Sequence, residues 1–305
     1  MTQMPQITAG SWIMVAILGL VWGGTFLVIE LALKGVTPFW LAAYRIGFGA
    51  ALTVLVWRVR GGALFAGPVT AGTLANLVVI GVLSSALPFM LISWGQQFVT
   101  AGFTGVSMAS AALIVLPLAH FLVPGERITL RRAAGFGIGF LGVAILIGGK
   151  AFESTGVALE MPGRLACVCA AACYATSSVM MRRLPPVDPV GLSAVLLTIG
   201  AAAVLPMAWA VEGPPRALDP RTFWILAFLG LVPTAAANLL RVTVVRSAGP
   251  VFMSLVNYQV PVWSVLLGAL LLNEPLPGSL LWAMALILAG VALSQYGALR
   301  RLFRR

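Results

Sequence analysis

Charge is what this sequence lacks. Only 9% of its 305 residues are Asp, Glu, Lys or Arg, against about 25% in soluble globular proteins. A soluble fold could not cover its surface with so few polar groups. That excludes an ordinary cytosolic enzyme, a disordered chain and a nucleic-acid binder. Acids number 8, and histidine occurs once, as His120. No H-E-x-x-H and no G-x4-G-K-[ST] is present. Metal-assisted hydrolysis and nucleotide-driven pumping therefore lack their residues, and no cofactor or metal is expected. Cysteines occur only at Cys167, Cys169 and Cys173, in one apolar stretch. Their spacing matches no zinc or redox motif and reads as small buried residues. No N-x-[ST] acceptor occurs. Met1 to Ser11 holds no Lys or Arg, so a signal peptide's basic n-region is missing and the first apolar run reads as an uncleaved span.

What the chain has in abundance is apolar length. Apolar residues make up 60%, and mean hydropathy is +1.03. A spanning helix needs roughly 20 apolar residues. Long unbroken runs argue against an outer-membrane barrel, whose strands alternate polarity. The runs predict an all-α integral membrane protein with ten transmembrane helices. They are Trp12–Leu33, Phe39–Trp57, Leu74–Trp94, Ala101–Val123, Ala133–Gly149, Gly163–Met181, Val190–Val211, Thr222–Leu240, Val251–Leu272 and Gly278–Tyr296. Several end in tryptophan, as interfacial belts do.

The net charge of +11 is topology information. Ten spans put both termini on one side. That side holds 13 of the 19 basic residues, the other side 5, and Arg45 lies within a span. The positive-inside rule then makes both termini cytoplasmic.

The two halves resemble each other at a nearly constant offset. Thr25 and Pro38 recur 151 residues later as Thr176 and Pro189. Gly81 recurs after 149 residues as Gly230. Glu126 and the run Gly142-Val143-Ala144 recur after 148 residues as Glu274 and Gly290-Val291-Ala292. Residues 1–150 and 151–305 are thus read as two five-helix repeats. An odd span number inverts the second, which is an architecture of alternating access with substrate held near the midplane.

Trp22-Gly23-Gly24-Thr25-Phe26 resembles the WG-x-x-F opening of EamA domains. Arg45 resembles that domain's arginine in the second span. Pro261, Glu274 and Leu276 resemble the P-V…G-E-x-L ending, and Pro124 to Thr129 is the first-half copy. The chain resembles a ten-helix member of the drug/metabolite transporter superfamily, and its size and form resemble bacterial amino-acid exporters of the YddG type. The copies also differ: Leu113 stands where the second has Pro261, and Cys173-Tyr174-Ala175 stands where the first has Trp22-Gly23-Gly24. The resemblance implies a multi-pass protein of a bacterial inner membrane. Its partners would be a small-molecule substrate and the lipid bilayer, with no nucleic acid, as a monomer or weak homodimer.

Gly137-Ile138-Gly139-Phe140-Leu141-Gly142 spells G-x-G-x-x-G but lies within a span, where small residues serve close packing. Gly135 with Gly139 and Ala285 with Ala289 are read the same way. Glu30 and Arg45 are the charges most clearly within spans. A lone charge at the membrane centre costs at least about 2.5–3.5 kcal/mol, which a Glu30–Arg45 ion pair would offset. The alternative pairs Glu30 with Lys34 at i,i+4 and gives Arg45 to backbone carbonyls, or to substrate. His120 reads as a packed or interfacial ring rather than a proton relay. Pro88, Pro117, Pro206, Pro233 and Pro261 interrupt spans and permit bending.

The candidate substrate site comprises Trp22, Tyr44, Tyr174, Ser177, Asn257, Tyr258, Gln259 and Trp263. The rings are expected to wall a cavity, and Asn257 or Gln259 to bond a polar end. Ser178 and Asn238 also fall within spans. Polar groups at this depth must be paired or line a wet cavity. The reading is an exporter of small metabolites, foremost amino acids. Its rivals are an exporter of drugs or other metabolites, an integral-membrane enzyme and a channel.

Overall fold

The computed structural model describes residues 7–65, 67–122, 128–148 and 159–303. These form ten helical segments. They are α1 (Ala9–Ala32), α2 (Pro38–Val59), α3 (Ala71–Gly95), α4 (Ala101–Leu122), α5 (Leu130–Gly148), α6 (Glu160–Met181) and α7 (Pro189–Glu212), followed by α8, α9 and α10. Helix α8 joins Pro220–Leu229, a π turn Gly230–Ala236, and Ala237–Ala248. Helix α9 is Val256–Leu272, and α10 is Gly278–Phe303. No strand occurs among the described residues; a single bridge, Phe65 to Val187, ties two loops. Predicted Glu126 and Lys150 lie outside the described residues.

Local chemistry sets the helix ends. Thr8, Thr70, Asp188 and Asp219 accept backbone N–H groups as N-caps, satisfying donors that a first turn leaves open. Asp219 accepts from the Thr222 hydroxyl and N–H, and these bonds hold its carboxyl below the usual carboxylate range. Pro38, Pro189 and Pro220 stand in first turns, where no N–H is required. Left-handed conformations stop α7 at Gly213 (φ 76°) and α9 at Asn273 (φ 54°).

Nine helices among the described residues are long and apolar enough to cross a membrane. Helix α9 is apolar and shorter, with 17 residues. Its start is corrected from the predicted Val251 to Val256. A single turn, Pro250–Met253, precedes a break at Ser254 and Leu255. There Asn257 and Tyr258 bond carbonyls three residues back rather than four. The outward faces are apolar: Ile13, Leu55, Phe121, Leu270, Trp224 and Trp282 are all exposed. Lipid, not water, accommodates such a surface.

The principal pairings follow a rule. Helix α1 packs on α9 as α6 packs on α4. Helix α3 packs on α6 as α8 packs on α1, and α2 packs on α8 as α7 packs on α3. The pairs α2–α7, α4–α9 and α5–α10 complete the set. Exchanging each helix with the one five places away leaves this pattern unchanged.

Glycines govern the α5–α10 seam. A Cβ on Gly290 would stand 2.5 Å from the Gly135 carbonyl oxygen and from the Gly139 nitrogen. The expected close approach at Gly135 and Gly139 is thus present. The pair Ala285 and Ala289 is not part of it: both are exposed, and Ala283 and Gly290 face α5 instead. On α10 the small residues at the seam lie seven apart, and Ala285 and Ala289 fall on the other side of the helix.

Two helices carry π turns, Val82–Ala86 in α3 and Gly230–Ala236 in α8. Each begins at or beside a glycine of the matched pair Gly81 and Gly230. Proline explains the second. Pro233 has no N–H to give the Leu229 carbonyl, and the Thr234 hydroxyl donates to that oxygen instead, at 2.8 Å. Pro117, Pro206 and Pro261 sit inside continuous α-helix.

Candidate functional site

Helices α2, α3, α6 and α8 converge on one arginine. Arg45 lies about 10 Å along α2 from Pro38, at 1.5 Å per residue. It is buried, 7% exposed. Its Nε donates to Thr234 Oγ1 at 2.9 Å, and its guanidinium carbon lies 4.1 Å from the Phe89 ring centroid. Thr234 can accept because its own proton goes to Leu229. Tyr174 of α6 lies close enough for its phenol and the guanidinium to interact electrostatically. Tyr44 and Tyr174 pack against the same two apolar clusters, one around Phe89 and Leu197, the other around Phe26 and Leu226.

Nε is the only guanidinium nitrogen of Arg45 with a hydrogen-bond partner among the described residues. The Tyr44 and Tyr174 hydroxyls have none there either. These polar ends escape the fully buried class, which does contain Tyr258 Oη, Glu30 Oε2 and Gln96 Oε1, each without a partner. A cavity of about 410 Å³ opens between α2, α7 and α8, lined by Val56, Arg60, Val190, Leu239, Val242, Thr243 and Ser247. Val56 shares a face of α2 with Arg45, three turns and about 16 Å away. Between them α2 and α8 touch: a Cβ on Gly49 would stand 2.8 Å from Thr234 Cγ2.

The sequence profile of the EamA-like transporter family matches residues 10–148 and 161–296. The chain belongs to that family. It is similar to an "uncharacterized transporter YoaV" of Bacillus subtilis (strain 168), 22% identical over 92% of this chain and 95% of that one. An "uncharacterized transporter" of Archaeoglobus fulgidus is 24% identical over 92% of this chain and 97% of its own. A crystal structure shares the fold with a TM-score of 0.66, at 22% identity, covering 97% of this chain and 99% of the other. The protein is a multi-pass membrane transporter of the EamA-like family.

In this EamA-like transporter Glu30 and Arg45 form no ion pair. Arg45 turns to Thr234 and Phe89, while the charges that Glu30 feels are Glu274 and Lys34. The pairing was inferred from depth, but depth does not set rotation. Arg45 faces α8, and Glu30 belongs to the end of α1 near Glu274.

The remaining predicted residues are dispersed. Trp22 donates its indole N–H to the Pro233 carbonyl at 3.0 Å and packs with Leu18 and Phe252. Tyr258 packs with Phe103 and Leu113 in a different cluster. Gln259 and Trp263 fill the α1–α9 seam: a Cβ on Gly19 would stand 2.7 Å from Gln259 Cβ, and one on Gly23 would strike Trp263 Cβ. Asn257 is exposed. The Ser177 hydroxyl bonds the Tyr174 carbonyl within its own helix, at 3.0 Å. Cys167 is buried, as read from the sequence, whereas Cys169 is exposed and Cys173 half-buried.

Thr234 and Phe89 were missed. One signal for Thr234 existed. The 149-residue offset of Gly81 and Gly230 also relates Ser85 to Thr234, two hydroxyls one residue beyond a fully helical turn.

Proposed function

We propose that this EamA-like transporter exports small metabolites, foremost amino acids, across a bacterial inner membrane by alternating access of two inverted five-helix halves. The observation that carries the reading is the group of unpartnered polar ends on Arg45, Tyr44 and Tyr174 where α2 and α3 of one half meet α6 and α8 of the other. A permanent scaffold satisfies its buried polar groups within itself. A transport path leaves some for the cargo. The exchangeable packing of helices five places apart supports two repeats, and the arginine-rich loops support cytoplasmic termini.

Purified protein in liposomes should move labelled amino acids with saturable flux and show counterflow against an unlabelled pool. Saturable flux of cationic drugs with none of any amino acid would favour the drug-export alternative and refute the amino-acid reading. Orientation has its own test, in a cysteine-free background. Single cysteines placed at Arg131 and at Pro214 should label from opposite faces, and labelling of both from outside intact cells would contradict the inverted arrangement.

A further inference from the structure

We infer that Arg45 is the anion-binding residue of the transport path, taking the carboxylate of a small monocarboxylate cargo through the two guanidinium nitrogens that Thr234 does not engage. The inference rests on the transport reading above and adds the chemical class that the path selects.

A buried guanidinium in a membrane protein is costly unless an anion accompanies it. Arg45 is buried, and its protein contacts are a neutral hydroxyl and a benzene ring. No carboxylate of the described residues bonds it, and five of the six described acids are occupied elsewhere. Glu160 holds Arg164. Asp188 and Asp219 cap their own helices. Glu212 binds Thr37, Phe39 and Trp40 at the start of α2. Glu274 binds Ala101 and Gly102 at the start of α4. Glu30 has a buried carboxylate oxygen without a partner among the described residues, and it lies beside Glu274 and Lys34.

The fold itself does not require the guanidinium. In the repeat offsets Leu196 stands 151 residues after Arg45, and Ser85 stands 149 residues before Thr234. At the related place between α7 and α3, Ser85 Oγ donates to the Gly81 carbonyl at 2.7 Å and stands 3.2 Å from the Leu196 main-chain carbonyl. One copy of the junction therefore has leucine at the arginine's place and uses only its main chain in this contact. The other carries a cation with two NH₂ groups to spare.

Those groups form the flat fork that suits a carboxylate. Nε anchoring to Thr234 and stacking on Phe89 fix the fork's plane. The neighbouring Tyr174 hydroxyl adds a donor of the right kind. A phosphate would call for further cations, and no second Lys or Arg contacts the group.

The experiment compares L-leucine with L-leucinamide, which keeps the ammonium and loses the carboxylate, as competitors of labelled-leucine flux in liposomes. Wild type should prefer leucine about 10- to 100-fold, the range of a charge-assisted hydrogen-bond pair. Arg45→Gln should bring the ratio near one, and Arg45→Lys should retain part of it. A purely structural arginine would lower yield without moving the ratio. A wild type indifferent to the carboxylate, or an Arg45→Gln variant that keeps the preference, overturns the inference. If Arg45→Gln does not fold, the ratio is read in Thr234→Val, which frees Nε and should lower the preference; an unchanged ratio there overturns it. If wild type moves no amino acid, the amino-acid reading fails on its own. The carboxylate inference then stands or falls on heat protection by 4-methylpentanoate, which wild type should show and Arg45→Gln should lack.

Discussion

Replacing Glu274 by alanine should cost on the order of 2–4 kcal/mol of folded stability, with Glu212→Ala close behind. Glu274 follows the left-handed Asn273 that ends α9 and turns its carboxylate onto the start of α4. It accepts from Ala101 N–H at 2.6 Å and Gly102 N–H at 3.0 Å. Ala101 is fully buried, so water cannot replace the lost acceptor there. Leaving a buried donor unmatched costs about 1–3 kcal/mol, and the negative charge also opposes the positive end of the helix dipole. Glu212 does the same at the start of α2, accepting from the Thr37 hydroxyl at 2.6 Å and from the N–H groups of Phe39 and Trp40 at 2.9 and 3.1 Å. Glutamine keeps an acceptor but not the charge, so Glu274→Gln should lose about half as much. Unfolding midpoints of purified protein in mild detergent measure this. An alanine variant within a few tenths of a kcal/mol of wild type would show that these carboxylates hold nothing.

Gly290→Leu should abolish the folded protein, and Gly290→Ala should destabilise it by about 1–3 kcal/mol, the cost of overpacking. The atoms a new Cβ would meet are the Gly135 carbonyl oxygen and the Gly139 backbone. Backbone cannot step aside as a flexible side chain can, so helices α5 and α10 would have to separate along their length. Gly137 supplies the control. It lies in the same glycine run, is exposed, and a Cβ there meets nothing within 4 Å. Gly137→Ala should be neutral or slightly stabilising, because alanine is the better helix former. Detergent-solubilised yield and melting temperature decide it. Equal tolerance at both glycines would mean that the seam is looser than drawn.

The spans were legible in the sequence because hydrocarbon imposes one simple demand, a long apolar run. Most predicted ends fall within three residues of the helix ends. The exceptions are the start of α9, predicted at Val251 and found at Val256, the far end of α10, predicted at Tyr296 and found at Phe303, and the far end of α8, predicted at Leu240 and found at Ala248. Arg241 sits inside the extension of α8. A helix terminus can carry an arginine into the interface, so a charge does not end a helix as reliably as it ends an apolar run. The site was less legible. Tyr44, Arg45 and Tyr174 were picked out by polarity at depth and do come together. Gln259 and Trp263 were picked out on the same ground and instead fill a helix–helix seam. Polarity locates a residue along the membrane normal; it does not say which neighbour the residue faces. Facing is set by helical phase, and Thr234 lies within a π turn, where the phase departs from 3.6 residues per turn. A periodicity argument therefore could not have aimed it at Arg45.

The two π turns also bear on how the chain tolerates change in length. Each holds one residue more than an α-helical path needs. Deleting a single residue between Val82 and Ala86, or between Gly230 and Ala236, would leave ordinary α-helix with everything beyond close to its present phase, because the wide turn had absorbed the extra residue. In α8 Asn238 and Leu239 would stay near their present faces, while the turn that brings the Pro233 carbonyl to the Trp22 indole and the Thr234 hydroxyl to Arg45 would be lost. Elsewhere in a span a one-residue deletion turns everything beyond it by about 100°. At these two places the change would stay local, at the centre of the protein.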